Sequence, residues 1–171
     1  IRNESFYLRE GVSWNDVSMT GMLSARHTPE GFIPTDSGPI VYFSGAKALE
    51  VLGFLNSAAV RPFTDLLCPT IHFGVGQLAL FPLAGTDNSE RDERVRRLVE
   101  IARLDWDQSE TSTGFRRTAL LTGGAHSGKC AVAMAKTLAL WRNLVEEALK
   151  LERLNDMCQL DQYGLHGLQI P

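Results

Sequence analysis

Residues 11–43, GVSWNDVSMTGMLSARHTPEGFIPTDSGPIVYF, are too irregular for a helix. Their apolar residues come in short runs that glycines and prolines separate. Short β-prone runs between turn-forming residues predict a meander of strands. We expect Arg26 and His27 at the turn that joins two of these runs. A sheet that buries one face and carries polar loops at its ends is typical of a binding surface rather than of a catalytic pocket.

The segments on either side of the meander have simpler patterns. Phe6-Tyr7-Leu8 predicts a first strand, and Gly45 to Ser57 predicts a helix that is apolar on most sides and therefore buried on most sides. Further along, residues 70–73 and 78–81 predict two short strands joined through a Gly-rich turn.

The second half of the chain is more densely charged and has helical periodicity. Ser89 is a candidate N-cap for a helix, and residues 131–162 predict one long helix or a hairpin of two. We expect the stripe of Leu138, Trp141 and Val145 to pack against a partner, because a lone apolar stripe needs cover.

These patterns together predict an α+β fold, in which a small, mostly antiparallel sheet with a packed helix precedes an α-helical spacer. The predicted division is residues 1–86 for the α+β part and residues 87–171 for the helical part, with a Gly-rich loop at 122–129.

Bulk composition limits the functional classes. The chain has 171 residues, is 44% hydrophobic and carries a formal net charge of −3, so it is not a strongly basic, free-standing nucleic-acid binder. A module that a larger partner delivers to DNA is still consistent with this charge. Three widely spaced cysteines and no long uncharged apolar run predict a cytoplasmic protein that does not cross a membrane. Because the chain begins at Ile1 rather than Met, we expect a fragment.

Several blocks occur in an order that is similar to one protein family. They are Gly11-Val12-Ser13-Trp14, Ser24-Ala25-Arg26, Pro29-Glu30-Gly31-Phe32-Ile33, Leu52-Gly53-Phe54-Leu55-Asn56-Ser57, Asp105-Trp106-Asp107 and Asp161-Gln162-Tyr163-Gly164-Leu165. Together they resemble the target-recognition and spacer region of the PglX adenine-specific DNA methyltransferases of BREX phage-defence systems. Related segments occur in restriction enzymes that fuse a methyltransferase to its specificity domain.

The resemblance implies a role at double-stranded DNA as part of a longer methyltransferase. The family's Asn-Pro-Pro-Tyr motif and its Gly-rich S-adenosylmethionine loop do not occur in this sequence. We therefore expect no catalytic residue and no cofactor in this chain. S-adenosylmethionine would bind the catalytic domain of the same parent protein, and other defence proteins are further candidate partners.

The cations of the first half are the candidate DNA contacts. Arginine is the commonest reader of base edges, and phosphates attract any cation. The predicted base readers are Arg26, His27 and His72, and the predicted phosphate contacts are Lys47 and Arg61. The structural alternative is an ion pair of Arg26 with Glu30 or Asp36.

Two other functional classes stay open. The long helix could be the docking surface of a protein-interaction module in a larger defence complex. Residues 123–130, GGAHSGKC, fit the GxxxxGK pattern of a phosphate-binding loop after an apolar run. Cys130 occupies the position at which the pattern needs a hydroxyl group to bind magnesium. A nucleotide-binding protein is therefore only the third functional candidate. No histidine has metal-ligand spacing with the cysteines.

Overall fold

A computed structural model describes residues 4–35, 37–124 and 130–167 of the chain. Within these residues it has the α+β fold that the sequence predicts. The strands are β1 (Gly11–Trp14), β2 (Ala25–Thr28) and β3 (Ile40–Val41). The helices are α1 (Gly45–Leu55), α2 (Arg61–Leu67), α3 (Val75–Leu78), α4 (Ser89–Trp106), α5 (Ala119–Gly124) and α6 (Cys130–Gln162).

The three strands form one antiparallel sheet in the order β2-β1-β3. Val12 pairs with His27 and with Val41, and Trp14 pairs with Ala25. Val12, Trp14 and Ala25 are buried, so one sheet face belongs to the core. This inner face packs against α1, which contacts both β1 and β2.

The meander is shorter than the sequence predicts. Met22-Leu23 and Phe32-Ile33 lie outside the strands. Phe6-Tyr7-Leu8 is not a strand either, because Glu4–Phe6 is a 3-10 turn and Leu8 has a left-handed φ of 63°. Leu8 still bonds the segment beyond β2, since its N–H donates to the Phe32 carbonyl at 3.2 Å and its carbonyl accepts from the Gly31 N–H at 3.0 Å.

Helix α1 confirms the predicted buried helix. Its buried residues lie on several sides, and they include Ala48, Val51, Leu52 and Phe54. The Phe54 ring stacks on Tyr163 with centroids 4.6 Å apart. A helix apolar all round is thus surrounded by the core of its unit.

The two strands predicted at residues 70–73 and 78–81 are wrong. His72 forms only an isolated bridge to Val17, and Val75–Leu78 is the helix α3. The Gln77 side chain accepts a hydrogen bond from the Gly74 N–H at 2.8 Å. This local capping contact starts a helical turn where apolar composition alone suggested a strand.

The chain divides into two compact units. One contains the residues up to Val95 and those from Leu154 onward, and the other comprises Arg96–Arg153. Helix α4 starts at Ser89, but its cap is Asn88, whose Oδ1 accepts from the Arg91 N–H at 2.9 Å. The predicted cap is therefore displaced by one residue.

Helix α6 is one continuous helix, which agrees with the first of the two predicted forms, a single long helix rather than a hairpin of two. The predicted stripe is partly wrong, because Leu138 and Val145 are 51% and 55% exposed and Trp141 is only half-buried, whereas Leu144 is buried. None of the described helices combines the length and apolar character needed to cross a bilayer.

Candidate nucleic-acid interface

Arg26 and His27 lie inside β2 rather than at a turn. Arg26 pairs with Ser13, and His27 pairs with Val12. Neighbouring residues of a strand point to opposite faces of its sheet, so the two basic side chains lie on different faces. The predicted position at a turn is wrong because the strand pairing of β1 extends through all four residues of β2.

Arg26 lies on the outer face of the sheet and is exposed. Glu30 is one of the predicted structural partners of Arg26. Within the described part of the chain, the two residues form no ion pair. Asp36, the other predicted partner, lies outside the described residues. The guanidinium is therefore presented by a paired strand and is not held by Glu30.

The two candidate histidines each lie beside a carboxylate. His27 Nε2 is 3.0 Å from Glu10 Oε1, and this pair is partly buried. His72 Nδ1 is 3.6 Å from Asp16 Oδ2, and the histidine is the more exposed partner, at 59%. The hydrogen bond to Glu10 orients the His27 ring, and both carboxylates compete with any external acceptor.

Residues 71–73 are fixed against the segment after β1 by backbone bonds. The Ser18 N–H donates to the Ile71 carbonyl at 2.9 Å, and the Phe73 N–H donates to the Asp16 carbonyl at 2.7 Å. The Trp14 indole N–H also donates to the Phe73 carbonyl at 2.8 Å. These bonds explain why His72 lies close to Asp16.

Lys47 is tied to a buried carboxylate. Its Nζ is 2.6 Å from Glu50 Oε2, and Glu50 Oε1 accepts from the Gly85 N–H at 2.7 Å. Burial acts to raise the pKa of Glu50, but these two hydrogen bonds and the charges of Lys47 and Arg91 outweigh it, so that the pKa lies below its ordinary value. Lys47 therefore has a structural role whether or not it contacts phosphate.

Arg61 is the least constrained of the candidate phosphate contacts. Its side chain is 72% exposed, and its Nε lies 3.9 Å from Asp65 Oδ2, one turn further along α2. An exposed pair at this distance contributes little stability, so the arginine can exchange this partner at small cost.

Asn56 positions the strand that carries Arg26, and the sequence reasoning missed it. Its Nδ2 donates to the Ala25 carbonyl at 3.0 Å, and its Oδ1 accepts from the Ala25 N–H at 2.9 Å. The Asn56 side chain thus forms the hydrogen bonds that a neighbouring strand would otherwise form with Ala25 at the free edge of β2. A polar residue directly after a buried helix was the available signal.

The other chemical patterns gain no support from the described residues. The apolar run Ala119–Leu121, which a phosphate-binding loop would require as a strand, belongs to the helix α5. Residues 125–129, which include Lys129, lie outside the described residues. Cys68, Cys130 and Cys158 are free thiols, and the described residues contain no cluster of metal-ligating side chains.

Comparison with known proteins relates the chain to adenine-specific methyltransferases. It is 37% identical over 176 aligned residues to adenine-specific methyltransferase PglX of Lacticaseibacillus casei, a match that covers 99% of the chain and 14% of the relative. It is 30% identical over 156 residues to adenine-specific methyltransferase BrxX of Escherichia coli, covering 90% of the chain and 12% of the relative. No protein-family model matches the chain.

The identities confirm the resemblance to PglX as homology along most of the chain. The chain spans only 12–14% of the length of these two curated relatives. Homology therefore indicates a methyltransferase-related role and does not assign the activity of a whole methyltransferase to these 171 residues.

Proposed function

We propose that this chain is the target-recognition and spacer part of an adenine-specific DNA methyltransferase in BREX-type phage defence. In this proposal residues 1–86 select the DNA site and residues 87–171 form the helical spacer. Another part of the same cytoplasmic protein binds S-adenosylmethionine and transfers its methyl group to the adenine amine.

The homology and the motif content both support this division of labour. Both named relatives are adenine-specific methyltransferases, and each is several times longer than the aligned segment. The present sequence has neither the Asn-Pro-Pro-Tyr motif nor the Gly-rich cofactor loop of the family it resembles. A segment that is homologous to a methyltransferase but lacks its chemistry suits substrate selection.

The observation that carries the proposal is the exposed Arg26 on the outer sheet face. An arginine can donate two hydrogen bonds to the O6 and N7 atoms of guanine in the major groove. Side chains on paired strands are held more precisely than side chains on loops, and base reading depends on that precision. Asn56 reinforces this strand through its two bonds to Ala25.

The other four candidate residues differ in the intramolecular contacts that they must give up to bind DNA. His27 and His72 must exchange or share their carboxylate partners to reach a base. Lys47 can keep its bond to Glu50 and use a remaining N–H for a phosphate. Arg61 needs only to leave a long contact with Asp65.

The proposal is tested by the salt dependence of duplex DNA binding to the 171-residue chain, measured by fluorescence anisotropy. Phosphate contacts through Lys47 and Arg61 predict that log Kobs falls with log salt with a slope of about −1.8, which is about −0.9 for each contact. Binding that is absent, or that does not depend on salt, would contradict the proposal.

A protein-interaction module is the second candidate, and the surface of α6 favours it. Met134, Leu138, Val145 and Leu149 recur at helical spacing, and each is about half exposed. The occupant in this case would be the methyltransferase part of the same longer protein. Apolar docking does not weaken with salt as phosphate binding does, so the same titration separates the two candidates.

A further inference from the structure

The outer face of the sheet carries two hydroxyl groups beside Arg26. Ser13 is the cross-strand partner of Arg26, and Thr28 follows Arg26 by two residues in β2. Because strand residues alternate between faces, Ser13, Arg26 and Thr28 share the face opposite to buried Val12 and Trp14. Arg26 is exposed and the two hydroxyl residues are partly exposed.

The two hydroxyls are bonded to each other. Thr28 Oγ1 donates to Ser13 Oγ at 2.9 Å, across the strand pair. Ser13 then keeps its own O–H free to donate, and Thr28 Oγ1 keeps its lone pairs free to accept. The pair thus presents one donor and one acceptor in fixed positions, and ordering them on DNA costs little further side-chain entropy.

The surface beside this hydroxyl pair is apolar. Gly11 lies on the same face, where an added Cβ would meet the Val41 carbonyl oxygen at 2.6 Å and the Ile40 side chain at 2.9 Å. The Ile40 side chain therefore covers Gly11 and adds a partly exposed methyl surface next to the hydroxyls. The guanidinium of Arg26 and the hydroxyl pair lie on β1 and β2, and the aliphatic group of Ile40 lies beside Ser13 on β3.

These groups match what the edges of base pairs offer in the major groove. That groove is about 12 Å wide and admits a two-stranded β-ribbon, which here would be β1 and β2, and neighbouring strands lie about 4.8 Å apart. Arginine reads guanine, serine and threonine hydroxyls bond donors or acceptors of several bases, and aliphatic groups contact the thymine methyl.

We infer that Ser13 and Thr28 are specificity-determining residues that read a base pair next to the one read by Arg26. The inference rests on the proposed function and deepens it, because it assigns the reading to the outer sheet face. His27, which lies on the other face, would then contribute from the periphery of the contact.

The test is selection of bound duplexes from a randomised DNA library by the 171-residue chain and its variants. Thr28→Val keeps the shape of the side chain and removes the hydroxyl, and Ser13→Ala removes the other half of the pair. Thr111→Val is the control, because Thr111 Oγ1 also forms a hydroxyl pair, with Ser109 Oγ at 2.7 Å, at an exposed position of the second unit.

We expect the wild-type chain and Thr111→Val to enrich the same sequence. Thr28→Val and Ser13→Ala should each lose about 5- to 150-fold of the preference at one position and keep the preference at the arginine position. Thr28→Ser should restore much of the loss, which a purely structural effect of the methyl group would not do.

The possible failures are distinguishable. If the wild-type chain binds no duplex or enriches no sequence, both the proposed function and this inference are overturned. If the wild-type chain enriches a sequence and both hydroxyl variants enrich it equally well, the inference alone is wrong. If thermal unfolding shows that Thr28→Val is unfolded, Thr28→Ser and Ser13→Ala decide the outcome by the same measurement.

Discussion

The carboxamide of Asn56 forms two hydrogen bonds with the backbone of Ala25, at 3.0 Å to its carbonyl and at 2.9 Å from its N–H. The Asn56 Nδ2 also donates to the Leu52 carbonyl at 3.2 Å, so one side chain joins the end of α1 to the edge of β2. We expect Asn56→Ala to lower the free energy of unfolding by about 1–3 kcal/mol, because Ala25 is buried and would lose both partners. Urea denaturation measures this change.

A matched control for this substitution is Asn143→Ala, at an exposed position of α6. Its effect should stay within about 0.5 kcal/mol, as for most surface substitutions. Equal effects of the two variants would show that the Asn56 bonds add nothing to stability.

Gly53 allows three buried side chains to approach α1 closely. A Cβ at this position would meet Val95 Cγ2 at 3.0 Å, Asn155 Oδ1 at 3.2 Å and Gln159 Nε2 at 3.3 Å. The Asn155 Nδ2 also donates to the Gly53 carbonyl at 2.8 Å. We expect Gly53→Ala to destabilise the protein by about 1–3 kcal/mol through overpacking, although alanine is the better helix former.

Gly76→Ala provides the comparison for that variant. Gly76 is also helical, in α3, but an added Cβ there meets nothing within 4 Å. Its substitution should be neutral or stabilising by up to about 1 kcal/mol in thermal or chemical unfolding. Overpacking at Gly53 is refuted if the two alanine variants gain stability alike.

The long periodic segments of this fold and its small antiparallel sheet could be predicted from the sequence, but the number and bounds of the short strands could not. The helices α1 and α6 repeat their apolar pattern over several turns, so their periodicity is distinguishable from a chance arrangement of apolar residues. The segments Phe6-Tyr7-Leu8 and residues 78–81 have only three or four apolar residues each. Their conformation depends on particular contacts, such as the Gln77 bond to Gly74, that composition does not reveal.

The candidate site shows the same limit at the level of side-chain direction. Their adjacency in sequence predicts that Arg26 and His27 act as a pair, yet adjacency within a strand places them on opposite faces. The sequence does not indicate Ser13, because its relation to Arg26 comes from the register of two strands. Register is a tertiary property that the local pattern specifies weakly in such short strands.

Acid sensitivity should arise at Glu50. Its pKa in the folded state lies below the ordinary value of 4.5, so the group stabilises the fold above about pH 4.5, and that contribution is lost as the pH falls through the folded pKa. Glu50→Gln removes the charge that bonds Lys47. We expect the stability difference between the wild type and Glu50→Gln to be largest near pH 7 and to shrink below about pH 4.5.

Denaturation curves across this pH range measure that difference, and Glu146→Gln is the control. Glu146 is exposed on α6, so this variant should change the stability by no more than about 0.5 kcal/mol. A difference for Glu50→Gln that stays constant from pH 7 to pH 3 would show that the charge of Glu50 has no stabilising role.

The phosphate contacts can be separated from structural ion pairs by combining salt dependence with stability. Removing one phosphate contact lowers the magnitude of the salt slope of DNA binding by about 1. We expect this from both Arg61→Gln and Lys47→Gln, but only Lys47→Gln should also lower stability, because it leaves buried Glu50 with one partner fewer. Arg153→Gln and Lys150→Gln, at exposed positions of α6, are the controls and should leave both quantities unchanged. If Lys47→Gln destabilises the protein and leaves the salt slope as it is, Lys47 serves Glu50 alone and the DNA backbone is contacted elsewhere.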